Sequence, residues 1–494
     1  MFKYEKLSLS KQATSPSIER VVEFSPPGVE MENITKVLSL SVDGRSLSVT
    51  AQDGYAEVEG RANFKLMYLD RDGKPSGKDY NADFSVKIDC DCHEGDSLSV
   101  KIDITEADVS AGETLTLSAV ISVSLKLICV SEIEALVDAE RCFKTFCKAS
   151  VPVFKAVKSI VTPVEDEVMV SGDVESILLL DSRSIVKSAT AGEGIIKVEG
   201  VVFACISYCD DGQIFTKQLE IPFVEEAQID GVEPDDKVCV DACVKGARIV
   251  LQGVTGDNII RYEGEVALKM QVFGLREAQL IDDLFMLTNE ISIENDTAEC
   301  RCVVSNKYFC ERVTGTAQLS ENRPIAKDIV CLPYARCYVS KAEVTEDGLT
   351  AEGIVNTDIV YTDENGYNSV RTEVPFSVLI AGDFEADIEI SCIVENIAAR
   401  IKRDREIEVN MTLGICATEY KPTGFGYIKN IEIGAEKEQN TSGLSLYLAS
   451  DGDEMWDICK ALTATPEDIV LQNPTLETPL KQGEKVIYFR AINI

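Results

Sequence analysis

One stretch occurs three times in this chain. It reads AEVEGRANFKLMY from Ala56 to Tyr68, IKVEGVVFACISY from Ile196 to Tyr208 and LTAEGIVNTDIVY from Leu349 to Tyr361. In each copy a Glu-Gly step is followed, eight residues after the glycine, by a tyrosine: Gly60 and Tyr68, Gly200 and Tyr208, Gly353 and Tyr361. An aspartate comes two residues later (Asp70, Asp210, Asp363), then a turn glycine (Gly73, Gly212, Gly366), then a phenylalanine (Phe84, Phe223, Phe376). A chain that repeats one unit at long, similar spacing is built from several copies of one fold.

The side-chain period identifies the unit. In the first copy Ala56, Val58, Gly60, Ala62, Phe64, Leu66 and Tyr68 share one face, and Glu57, Glu59, Arg61, Asn63 and Lys65 share the other. That alternation is a half-buried strand of an antiparallel sheet. The Asp-to-Gly segments read as hairpin turns into a strand ending at the phenylalanine. Pro222 and Pro375, just before Phe223 and Phe376, belong at a strand end, an edge or a bulge, because proline donates no ladder hydrogen bond. The glycines at 60, 200 and 353 permit a bulge or a close backbone approach, and the tyrosines read as core residues.

The order of the remaining segments gives a mainly β chain of three tandem sandwich-like or barrel-like repeats and a small C-terminal unit. Residues 1–32 form a lead-in segment and 33–140 the first repeat; 141–296 hold a connector and the second repeat, 297–431 a connector and the third. The acidic run Glu277 to Asp296 reads as a short helix. Residues 432–443 are polar and read as a linker. From 444 to 494 the pattern changes to β-α-α-β: Met455, Ile458, Cys459 and Leu462 have helical spacing, and Thr465-Pro-Glu-Asp468 is a helix start.

Composition narrows the chemistry. The net charge of −36 repels phosphates, which argues against nucleic acid and anionic membrane as partners. The N-terminus has no apolar signal segment, so the chain is expected to stay in the cytosol where it is made, with its 17 cysteines reduced. Many of them, such as Cys129, Cys205, Cys392 and Cys416, fall at alternating strand positions as small hydrophobes. His93 is the only histidine, which leaves Ser-His and Cys-His machinery no other base. Cys90-Asp-Cys92-His93 lacks the spacing of a zinc knuckle and reads as a polar loop, so no metal and no cofactor are expected. The repeated Glu59, Glu199 and Glu352 sit on exposed strand faces, where nothing raises a carboxyl pKa for acid catalysis. The chain reads as a non-enzyme.

The C-terminal segment resembles a LysM domain through Tyr447, Gly452-Asp453, Met455-Trp456, Ile458, Leu462, Ile469, Asn473-Pro474, Leu480, Gly483 and Val486-Ile487. The small hydroxyl residue usual after Gly-Asp is Glu454 here, in the loop through which LysM modules contact N-acetylglucosamine chains. The resemblance implies a binding site in two loops: Asp451, Gly452, Asp453, Glu454, Met455 and Trp456, with Gln472, Asn473, Pro474, Thr475 and Leu476. A structural reading stands beside it, in which Asp453 caps the first helix and Asn473 ends the second. The triplicated unit resembles the SPOCS domain of spore-forming Firmicutes, with Ala-Asp-Phe84 replacing Pro-Phe in the first copy. SPOCS repeats followed by one LysM domain resemble the SipL group of spore-coat morphogenetic proteins. That resemblance implies a scaffold made in the mother-cell cytosol that moves to the forespore surface, and a LysM module that docks the coat's basement-layer ATPase or another coat protein. The alternative it implies is binding of peptidoglycan or chitin oligosaccharides.

Overall fold

The computed structural model describes residues 2–27, 33–94, 96–111, 115–254, 257–321, 323–385, 387–437 and 443–489. Each signature stretch is the central strand of a three-stranded antiparallel meander. These are β3 (Lys36–Gln52), β4 (Tyr55–Leu69) and β5 (Pro75–Asp89); β9 (Ser176–Ala191), β10 (Ile195–Asp210) and β11 (Gln213–Gln228); and, in the third copy, β17 (Gly348–Asp363) between β18 (Gly366–Ala381) and an edge split into β15 (Asp328–Cys331) and β16 (Ala335–Thr345). Pro333 lies in that split.

A second sheet covers each meander. A hairpin follows the meander in sequence, and its second strand pairs back to a strand that precedes it. In the first copy β6 (Ser97–Ala111) and β7 (Leu115–Ala139) join β1 (Phe2–Thr14) and β2 (Ile18–Phe24). In the second, β12 (Lys237–Val254) and β13 (Asp257–Phe285) join β8 (Phe143–Ser171), and in the third β19 (Asp387–Arg403) and β20 (Glu406–Glu436) join β14 (Asn289–Gln318). Alternate residues of both sheets fill one core per copy, among them Val58, Phe64 and Ile121, then Val198, Ile206 and Leu268, then Ala351, Ile359 and Val409.

Several expectations change. The lead-in segment supplies β1 and β2, and the two connectors are the first strands, β8 and β14, of their own sandwiches. The acidic run Glu277 to Asp296 is not a helix: it spans the end of β13 and the start of β14, which meet β8 and β20 in antiparallel register. The expected linker starts later, because β20 runs to Glu436. Residues 438–442 of that linker, residues 490–494 of the C-terminal unit and the Cys129 side chain lie outside the described residues. The phenylalanines do not end their strands but sit mid-strand, directly opposite the signature glycines.

The three sandwiches close on one another. Leu7 and Leu9 of β1, Ala149 and Val151 of β8, and Ala298 and Cys300 of β14 gather in one cluster with Ala135, Leu280 and Tyr427 of the long strands β7, β13 and β20. A neighbouring cluster takes Leu136, Ile281 and Ile428 with Ala139, Leu284 and Ile431 from the same three strands. The meanders meet in a further cluster, where Leu38 and Met67, Leu178 and Cys209, and Cys331 and Val360 come from the three copies in turn. In the first two clusters the residues come from matching positions of the three copies, as in a trimer made from one chain.

Candidate functional site

The repeated glycine explains its own strand. A Cβ added at Gly60, Gly200 or Gly353 falls 2.2, 2.3 or 2.7 Å from Cζ of Phe84, Phe223 or Phe376, so each ring lies flat over a glycine. Register slips in the same place each time, with an extra residue on the neighbouring strand opposite the Glu-Gly step. A second slip occurs opposite Tyr68, Tyr208 and Tyr361. Tyr208 and Tyr361 are buried and Tyr68 half-buried, so all three pack inside. The bulges add twist, and the second ones place Leu38 and Leu178 in the junction between copies.

Charge fills the centre of that junction. The residues opposite the three glycines are Ser46, Val186 and Val339; three positions before each stand Asp43, Arg183 and Arg336. One repeated position thus carries an acid once and a base twice. The Arg336 guanidinium pairs with Asp43 of the first sandwich and lies 2.7 Å from the fully buried Asp181 of the second. Arg183 lies 3.0 Å from Asp181 and donates to the Ala335 carbonyl at 2.8 Å. Lys65 lies 2.5 Å from Asp43 and donates to the Leu180 carbonyl at 2.7 Å. Asp358 accepts from Ser39 Oγ at 2.9 Å and the Leu40 amide at 3.2 Å, and pairs with Arg371 at 2.8 Å. Burial alone raises the Asp43 carboxyl pKa; Lys65 and Arg336 outweigh it and hold the group well below the usual carboxylate range. Burial pulls Arg183 down, against the attraction of Asp181.

The C-terminal unit is β21 (Leu444–Leu448), α1 (Met455–Leu462), α2 (Pro466–Gln472) and β22 (Lys485–Phe489), with β21 and β22 antiparallel. Its core is Ile458, Cys459, Leu462, Ile469, Leu480 and Val486. Thr465 caps α2 by accepting from the Asp468 amide at 3.1 Å. Most polar side chains of the two expected binding loops are spent inside the unit. Asp453 does not cap α1, whose N-cap is Glu454; its carboxylate accepts from Tyr447 Oη at 2.5 Å and the Ser450 amide at 2.7 Å. Asn473 ends α2 and pairs on both sides with Ile487, donating at 2.8 Å and accepting at 3.1 Å. Gln472 does the same with Phe489, at 3.1 and 2.6 Å. Met455 and Leu476 pack against the core, leaving Asp451, Gly452, Glu454, Pro474 and Thr475 exposed.

Trp456 turns to the chain itself. Its indole N–H donates to Asp283 Oδ2 at 3.0 Å and its ring meets Phe285 edge-on with centroids 5.0 Å apart. Phe285 stacks in turn on Phe143, and Lys460 lies 2.5 Å from Asp283. The first helix is therefore docked on the end of the second sandwich. Burial works to raise the Asp283 carboxyl, but the hydrogen bonds from Lys460 and Trp456 keep it below its ordinary value.

The sequence reading missed the opposite face of the unit. Leu444, Leu446 and Leu448 of β21 and Ile487 and Phe489 of β22 all point outward, with Leu446 58% and Ile487 40% exposed. Leu444 faces Phe489 and Leu446 faces Ile487 across the ladder, so the five side chains make one apolar surface. Their alternation with Ser445, Tyr447, Val486 and Tyr488 was visible in the sequence. Only the structure shows that nothing among the described residues covers them.

Residues 173–251 and 330–402 match the family model described as the SipL SPOCS domain. Both matches take in a signature meander and run into the first strand of its covering hairpin. No curated protein and no solved structure matches the chain. Over these two stretches, which make up less than half of its length, the chain is SipL-like and carries SPOCS-domain sequence, which points to a sporulation-related protein. No helix among the described residues is long and apolar enough to cross a membrane.

Proposed function

We propose that this protein is a non-enzymatic scaffold of endospore coat assembly, in which the three sandwiches form a rigid body and the C-terminal unit, a LysM module, docks another coat protein. The observation that carries this reading is the apolar sheet face of the module, which no described residue covers. A surface of that kind on a folded chain is a mark of protein contact. Four aliphatic side chains and one phenylalanine offer a sugar few hydrogen-bonding partners, whereas they suit the apolar patch of a folded protein. With a net charge of −36 on the chain, the partner's rim is expected to be basic, which also speeds encounter. The basement-layer ATPase of the coat is the partner that the family resemblance suggests. Asp453, Gln472 and Asn473, which a glycan reading requires, are engaged in holding the module together, and Trp456 is engaged in holding it to the second sandwich.

The reading is tested in sporulating cells with a fluorescent fusion. Leu446→Glu with Ile487→Glu places two charges on the face while leaving the module's core intact. The account expects the wild type at the forespore surface and the double variant dispersed in the mother cell. Undisturbed localisation of a stably folded double variant overturns it.

A further inference from the structure

The closing edges of the third sandwich hold two sulfurs. Cys337 lies on β16 and Cys392 on β19, edge strands of the two facing sheets, and the sulfurs are 2.9 Å apart. That is inside van der Waals contact, and the two residues are separated by 55 positions in sequence. The approach is a property of the fold and not of sulfur. Cys337 stands two residues before Val339, the residue opposite Gly353; the corresponding residue of the first sandwich, two before Ser46, is Gly44. A Cβ built on Gly44 falls 2.5 Å from Cγ2 of Ile102 on β6, the strand that corresponds to β19. The same place brings the sheets together in both copies. The first copy makes room with a glycine, and the third fills the gap with two thiols.

We propose that Cys337 and Cys392 are a redox modification site, closing to an inter-sheet disulfide when a low-molecular-weight disulfide such as oxidised glutathione reaches the protein. In the first step the Cys337 thiolate attacks one sulfur of the small disulfide; that S–S bond breaks and one small thiol leaves, taking up a proton. In the second step Cys392 gives up its proton and attacks the Cys337 sulfur, expelling the second small thiol. Two protein thiols are oxidised and one small disulfide is reduced to two thiols. The hydrogen bond with Cys337, then burial, pushes the Cys392 thiol up, so Cys392 is the poorer first nucleophile and the first attack falls to Cys337. Oxidation locks the edges of the third sandwich at the point where it meets the second, since Cys416 beside the pair donates to the Val186 carbonyl at 3.3 Å. The pair differs from Cys90 and Cys92, whose sulfurs are 3.1 Å apart but only two residues apart in one turn.

The test treats the full chain with oxidised glutathione, blocks remaining thiols by alkylation and maps the tryptic peptides. Peptide 337–341 is expected joined to peptide 372–400, each carrying a single cysteine, with the loss of two hydrogens. Oxidised wild type should melt several degrees above the reduced protein, as expected when a long loop is closed. Cys337→Ser should abolish both effects, and Cys416→Ser should keep both. Recovery of Cys337 and Cys392 as alkylated or merely glutathionylated thiols in the wild type overturns the assignment, as does a link from Cys392 to Cys416. The wild-type map decides the matter even where a variant folds poorly.

Discussion

At Gly200 the ring of Phe223 and the carbonyl of Ile185 occupy the space that a methyl group needs. Gly200→Ala is therefore expected to cost about 1–3 kcal/mol through overpacking, read as a lower urea midpoint with an unchanged slope. The same change at the turn glycine Gly212, where φ is +72° and nothing crowds the Cβ, costs through backbone strain alone. Removing Arg336 leaves Asp181 buried with Arg183 as its remaining ion-pair partner among the described residues, and Arg336→Leu should lose about 3 kcal/mol. The pH dependence follows from Asp43. Its folded pKa is depressed, so its contribution is present above the unfolded carboxylate value near 4 and fades as pH falls below it. Asp43→Asn should be less stable than wild type at neutral pH and lose less further stability on acidification to about pH 2; equal acid slopes in urea titrations would remove Asp43 from this role. The signature glycines and phenylalanines were legible because they recur. The charges were not, because Asp43, Arg183 and Arg336 look in sequence like residues of any exposed strand face, and only the packing of three copies buries them.

Among the elements, β8 and β14 were the hardest to place. At 29 and 30 residues they far exceed an ordinary strand. Their partners β13 and β20 lie roughly a hundred residues downstream, so no local hairpin signal announces the pairing. The C-terminal unit was legible in its β-α-α-β order because caps and helical spacing are local. What was not legible is its attachment: Trp456, a position of the LysM-like pattern, also donates to Asp283. Asp283→Ala removes acceptors from both Trp456 and Lys460. It should free the module, seen as faster amide exchange in α1 with the sandwiches unchanged. Unaltered protection in α1 would mean that Phe285 and Phe143 hold the module without it.

Taken whole, the chain is a trimer-like assembly whose order is fixed by unlike charges at like positions. Three clusters draw side chains from all three sandwiches, so each sandwich on its own exposes its part of every cluster. An excised second sandwich, residues 143–285, is expected to aggregate or self-associate, whereas residues 2–437 should unfold in one transition. Separate transitions in calorimetry would show that the junction is weaker than its burial suggests. A rigid body of this kind holds the C-terminal module at one end with its apolar sheet turned outward, and the proposed docking role rests on this arrangement.

The most direct measurement is a calorimetric titration of the full chain, and of the Leu446→Glu and Ile487→Glu double variant, against the coat basement-layer ATPase and against N-acetylglucosamine oligomers. The account predicts micromolar or tighter binding of the ATPase, at least tenfold weaker in the variant, and no heat with the sugar. Sugar binding that the two substitutions leave untouched, together with no affinity for the ATPase, would contradict it and make the module a glycan reader.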